Sequence, residues 1–256
     1  MNAVKRYRRV LLVAIISLLA LPLTGCLGPT NLTYEVFVDD FSVRGSWFDG
    51  TDSAGNSWRY ASSGTDTFYE AQAISSFGSI SPVPIKPLQT YTFKVDAVNV
   101  GSGSGWFGVA YAVVDPQAQH DWMQSPFFVF RVNPAQSLWS VHKWEPSESR
   151  WKEIGSGSFL SGAGVIVEPK TFTLKVNRNL IGTTRVYING AQLPLNGADF
   201  SWGSHRLGLY AQTDQQGVPF VARYDNVAMT GWSLKIGPAA SGVLEGEVEA
   251  LPVPGL

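Results

Sequence analysis

The chain has 256 residues, 45% of them hydrophobic and 15% charged, with 26 Gly, 15 Pro, 9 Trp, 14 Phe and a single Cys. Low charge with abundant aromatics is opposite to a disordered composition, and a formal net charge of −1 lacks the basic excess of a duplex nucleic-acid binder. One cysteine excludes an intramolecular disulfide and cysteine-based zinc knuckles, so apolar burial must hold any core.

Lys5, Arg6, Arg8 and Arg9 precede an apolar run over Val10–Leu23 that only Ser17 and Pro22 interrupt. Such a run spans roughly 21 Å as a helix, short of the ~30 Å hydrocarbon core, so it reads as a secretory signal rather than a permanent span. Leu23-Thr24-Gly25-Cys26 resembles the bacterial lipobox, in which the signal is cut before the cysteine and the cysteine is then acylated. Two or three acyl chains give stable membrane attachment where one does not. The resemblance implies lipidation of Cys26, a lipid-anchored partner membrane and a place in the cell envelope. Leu27, in place of Asp, points to the outer membrane if the cell has two. Loss of residues 1–25 removes four of the 19 basic residues and none of the 20 acids, leaving a net charge near −5. Residues 26–33 read as a tether.

From residue 34 to 233 the pattern is all-β, with short runs rich in Val, Phe, Tyr, Trp and Thr separated by Gly, Ser, Asn and Pro. Expected strands cover Glu35–Phe41, Trp58–Ala61, Phe68–Ser75, Tyr91–Val100, Phe107–Val114, Phe127–Asn133, Leu138–Trp144 and Trp151–Ser156. Further strands are expected at Phe172–Asn177, Thr184–Ile188, Arg206–Gln212 and Val221–Thr230. Tyr91, Phe93, Val95 and Ala97 alternate with Thr92, Lys94 and Asp96, as in a half-buried strand. Asn189-Gly190 predicts a type I′ hairpin. Pro82–Pro87 reads as an extended connector, and 234–256 as a flexible acidic tail. No helical period or internal repeat appears, and one two-sheet sandwich is expected.

Several segments in order resemble the concanavalin A-like lectin/glucanase superfamily, an antiparallel jelly roll that includes laminin G-like and 3-keto-disaccharide hydrolase-like domains. They are Asp39-Asp40-Phe41-Ser42 leading to Trp47, Tyr91-Thr92-Phe93-Lys94-Val95, Trp106-Phe107-Gly108-Val109-Ala110-Tyr111, Phe172-Thr173-Leu174-Lys175-Val176, Val186-Tyr187-Ile188-Asn189-Gly190, Leu207-Gly208-Leu209-Tyr210-Ala211 and Tyr224-Asp225-Asn226-Val227. The resemblance implies that the first and last strands are neighbours, which brings Asp40 near Asp225, and that this pair suits Ca2+. The same acids equally serve to cap turns.

Catalytic templates are sparse. The Glu-x-Asp-x-x-Glu strand of the superfamily's glucanases is missing, and Glu70-Ala71-Gln72 has an amide where a second acid would stand. Gly103-Ser104-Gly105-Trp106-Phe107-Gly108 spells a dinucleotide motif but leads into a strand, not a helix. His120, His142 and His205 have no metal-ligand spacing. What remains is a mid-chain cluster of Trp106, Trp122, Trp139, Trp144, Trp151 and Trp202 with nearby polar groups, the mixture a carbohydrate platform uses. Alternation puts Arg131 in mid-strand with Phe127 and Val129, and His142 with Ser140 and Trp144. The expected ligand groove holds Glu70, Gln72, Trp122, Arg131, His142 and Trp144. Three functions follow as alternatives: a non-catalytic polysaccharide binder, a glycoside or 3-keto-glycoside hydrolase using Glu70, His142 or Asp121, and a structural envelope module.

Overall fold

A computed structural model describes residues 31–84, 88–113, 125–159, 171–195, 205–235 and 251–253. Cys26, His120, Asp121, Trp122 and Trp202 lie outside them. The strands are β1 Asn31–Asp39, β2 Gly50–Thr51, β3 Ser57–Ser63, β4 Asp66–Ala73, β5 Gly78–Pro82, β6 Thr90–Asn99, β7 Gly105–Val113 and β8 Phe127–Asn133. They continue as β9 Leu138–Glu145, β10 Arg150–Ser158, β11 Phe172–Arg178, β12 Thr184–Ile188, β13 Ala191–Gln192, β14 His205–Thr213, β15 Phe220–Lys235 and β16 Leu251–Val253. One compact unit comprises 34–233 with 245–256; a second, 1–33 with 234–244, is described only at the ends of β1 and β15.

The strands form two antiparallel sheets, a jelly-roll sandwich. The nine-stranded sheet runs β13-β12-β11-β6-β15-β4-β3-β2, with β1 on β15, and the seven-stranded sheet runs β10-β9-β8-β7-β14-β5-β16. The core lies between them. Tyr91, Phe93, Val95 and Ala97 of β6 are all buried in it, as the alternation predicts, and meet Phe107, Val109, Phe128, Phe130 and Leu209 of the other sheet. Each large side chain so buried stabilises the fold by about 1.5–3 kcal/mol. Asn189 and Gly190 have φ of 49° and 86°, and Ile188 faces Ala191 across the two-residue turn, the expected type I′ hairpin.

Two segments depart from expectation. β5 was hidden in the sequence because Ser79 and Ser81, on either side of Ile80, point into the core. There Trp58 Nε1 donates to Ser79 Oγ at 2.8 Å, and the Tyr69 and Ser81 hydroxyls are 2.7 Å apart. The acidic tail is not all tail: Leu251–Val253 pairs with β5, and Val253 is fully buried. Pro252 masked that strand, since proline is tolerated at a sheet edge, where no ladder donor is required.

Candidate functional site

Side chains alternate along each strand, so the seven-stranded sheet has a second face, turned away from the sandwich core. Its apolar floor is Ile80, Ala110, Phe127, Val129, Trp144, Tyr210 and Val253, with Trp106 and Trp151 packed against it. Register builds the face across five strands. Phe127 stands opposite Trp144 and Trp144 opposite Trp151; Val129 opposite His142 and His142 opposite Glu153; Arg131 lies between Ser140 and Gly108; Gln212 is opposite Trp106. Trp144 and Trp151 meet edge-on at 5.4 Å, and Phe127 and Trp151 at 5.0 Å.

A polar centre crosses this floor. Arg131 donates from Nε to Ser140 Oγ at 3.0 Å and from Nη1 to Gln212 Oε1 at 2.6 Å, and its guanidinium lies over the Trp106 ring. The Tyr210 hydroxyl donates to the same Gln212 oxygen at 2.6 Å, and Gln212 Nε2 donates to the Ser76 carbonyl at 2.8 Å. Burial raises Tyr210 to about 12, so it is a neutral donor. Gly108 makes the crossing feasible. A Cβ there would lie 2.0 Å from the Phe130 carbonyl oxygen, in the row between Tyr210 and Arg131.

His142 is the titratable group beside that centre. Burial, reinforced by the Arg131 charge and opposed by Glu153, lowers its pKa to about 4, so the imidazole is neutral at physiological pH. Its Nε2 is 3.9 Å from Glu153 Oε2, while Nδ1 is buried without a hydrogen-bond partner. A buried orphan nitrogen costs stability unless something fills it. The face thus holds aromatic rings, a guanidinium, an amide and an uncharged imidazole, of which Trp106, Trp151 and His142 are partly exposed and Trp144, Arg131 and Gln212 are buried.

The structure brings together Arg131, His142 and Trp144 of the expected groove and separates Glu70 and Gln72 from them. Tyr69 and Ala71 of β4 point into the core, so Glu70 and Gln72 lie on the outer face of the nine-stranded sheet. There Glu70 is engaged by both cross-strand neighbours: Arg59 donates from Nε at 3.0 Å and Arg223 from Nε at 2.9 Å. Burial pushes the Glu70 carboxyl up, but the two guanidinium groups outweigh it and hold the carboxyl below its usual range. A catalytic pairing of Glu70 with His142 is therefore excluded by geometry. Their strands belong to opposite sheets.

Asp40 and Asp225 engage turn amides, accepting from Ser42 N at 3.0 Å and Asn226 N at 2.7 Å. Burial raises the Asp225 carboxyl, and Asp96, Asp40 and Asp66 raise it further. Among the described residues no three His, Cys, Asp or Glu side chains converge as metal ligands. Of the other tryptophans, Trp47, Trp58 and Trp139 belong to the main core. Sequence reasoning missed Tyr210 and Glu153. Carrying the two-residue alternation from Gln212 back to Tyr210, and from Trp151 on to Glu153, would have found both.

No family model matches the sequence, and no curated protein does. Solved structures with the same fold include a GlcNAcα1-4Gal-releasing endo-β-galactosidase from Clostridium perfringens, with TM-score 0.52 and 12% identity over 78% of this chain and 63% of that one. A κ-carrageenase from Pseudoalteromonas carrageenovora, in complex with an oligotetrasaccharide of κ-carrageenan, has TM-score 0.51 and 9% identity over 82% and 99%. A protein of unknown function with a galectin-like fold from Bacillus subtilis has TM-score 0.51 and 10% identity over 78% and 99%. The chain spans less than two thirds of the endo-β-galactosidase structure and 18% of a sialidase structure.

Proposed function

We propose that the protein binds a glycan on the outer face of its seven-stranded sheet and does not cleave it. One observation carries the reading: Trp106, Trp144 and Trp151 share that face with Arg131, Gln212 and a neutral His142 whose buried Nδ1 is unsatisfied. Sugar C–H faces pack on indole rings, and sugar hydroxyls both donate to and accept from such planar polar groups. The fold shared with an endo-β-galactosidase and an oligosaccharide-bound κ-carrageenase supports a saccharide as the ligand class. Binding without hydrolysis is favoured because Glu153 stands opposite His142 rather than a second carboxyl, whereas glycoside cleavage uses two carboxyl groups about 5–9.5 Å apart.

We further infer anchorage through Cys26, on the strength of the basic segment, the apolar run and Leu23-Thr24-Gly25-Cys26. The protein would then display its glycan site at the cell envelope. Fatty-acid labelling lost in Cys26→Ala supports the anchor, and unchanged labelling refutes it. For the site, the unlipidated domain is screened against glycan arrays and insoluble polysaccharides. Retention that falls at least about tenfold in Trp151→Ala is expected; no retention on any polymer, with co-purification of a defined protein partner, favours a structural module instead.

A further inference from the structure

Arg131 is a buried charge with no counter-ion among the described residues. The residue is 5% exposed, and among the described residues its contacts are neutral: the Ser140 hydroxyl, the Gln212 amide oxygen, the Tyr210 hydroxyl and the Trp106 ring. Among the described residues no carboxylate lies within ion-pairing distance of it. Gln212 Oε1 is already shared with the Tyr210 hydroxyl. Asp214 exerts a long-range attraction, but its Oδ2 accepts from Ser104, Asn133 and Gln136 at 2.5, 2.7 and 3.1 Å. The contrast is the opposite sheet, where two guanidinium groups share Glu70.

Folded proteins pair the charges they bury, and a guanidinium without a carboxylate partner matches the planar geometry of an oxyanion. His142 is held neutral, so Arg131 supplies the positive charge at the centre of the face. We propose that the glycan bound there is acidic, and that an oxyanion on a sugar ring, a uronate carboxylate or a sulfate ester, pairs with Arg131. The inference rests on the glycan reading and narrows its ligand class.

Matched polymers test it. The protein is run in affinity gels containing polygalacturonate or its methyl ester, and carrageenan or agarose, at low and high salt. The charged member of at least one pair is expected to retard the protein on the order of tenfold more strongly, with the preference shrinking as salt rises. Which pair responds distinguishes carboxylate from sulfate. Arg131→Gln should erase the preference, and Arg131→Lys should keep part of it. If Arg131→Gln does not fold, the polymer pairs and salt series on the native chain decide alone. Equal retardation by charged and neutral members overturns the acidic ligand while leaving glycan binding intact; no retardation by any polymer overturns both.

Discussion

The Arg131 guanidinium lies over the Trp106 indole, 4.1 Å from its ring centroid, so an aromatic side chain fixes the plane of the buried charge. A stacked cation of this kind is worth about 0.5–2 kcal/mol. Trp106→Ala should therefore weaken glycan retention by roughly three- to thirtyfold while Trp106→Phe keeps most of it, measured by affinity gels. Equal losses in both variants would show that the stack is irrelevant to binding.

Glu70 is expected to be structural. Glu70→Gln leaves Arg59 and Arg223 facing one another without their shared carboxylate, at a cost of about 1–2 kcal/mol after allowing for the exposure of Arg59. Chemical denaturation should show that loss with glycan binding unchanged. A variant that loses binding and keeps its stability would move the site to the other sheet.

Stability should fall on mild acidification. The folded-state pKa values of His142 and His205 are lowered to about 4 and about 3, chiefly by burial, so between those values and about 6.5 the unfolded chain binds more protons than the folded one. Unfolding free energy therefore rises with pH through that window and is flat, for these groups, above it. His142→Gln should reduce the slope between about pH 4 and 6.5, and imidazole resonances should show a His142 midpoint near 4. A midpoint near 6.5 would contradict the burial of His142.

The C-terminal strand should contribute to the apolar floor. Val253 is fully buried in the same cluster as Trp144 and Tyr210. Ending the chain at residue 250, or Val253→Asp, should remove at least about 1.5–3 kcal/mol and lower Tm by roughly 3–12 °C. An unchanged melting curve would mean the strand is dispensable.

Most of the strands, and the sidedness of Arg131, His142 and Trp144, were legible because alternation of period two carries that information directly. What alternation does not carry is strand order. Glu70 lies on β4, whose neighbours β3 and β15 are far apart in sequence, and only that long-range pairing assigns it to the nine-stranded sheet and to its two arginines. Ser79 and Ser81 were obscure for another reason: core hydroxyls satisfied by Trp58 and Tyr69 look like loop residues in a sequence.

The most direct test is a map of NMR shift changes as a retained glycan is titrated into the domain. The largest changes are expected at the Trp106 and Trp151 indole N–H groups, the Arg131 side chain and the His142 ring, with Glu70 and Arg223 unaffected. Changes confined to Phe68, Glu70, Arg223 and Asp225, on the opposite sheet, would contradict the assignment of the binding face.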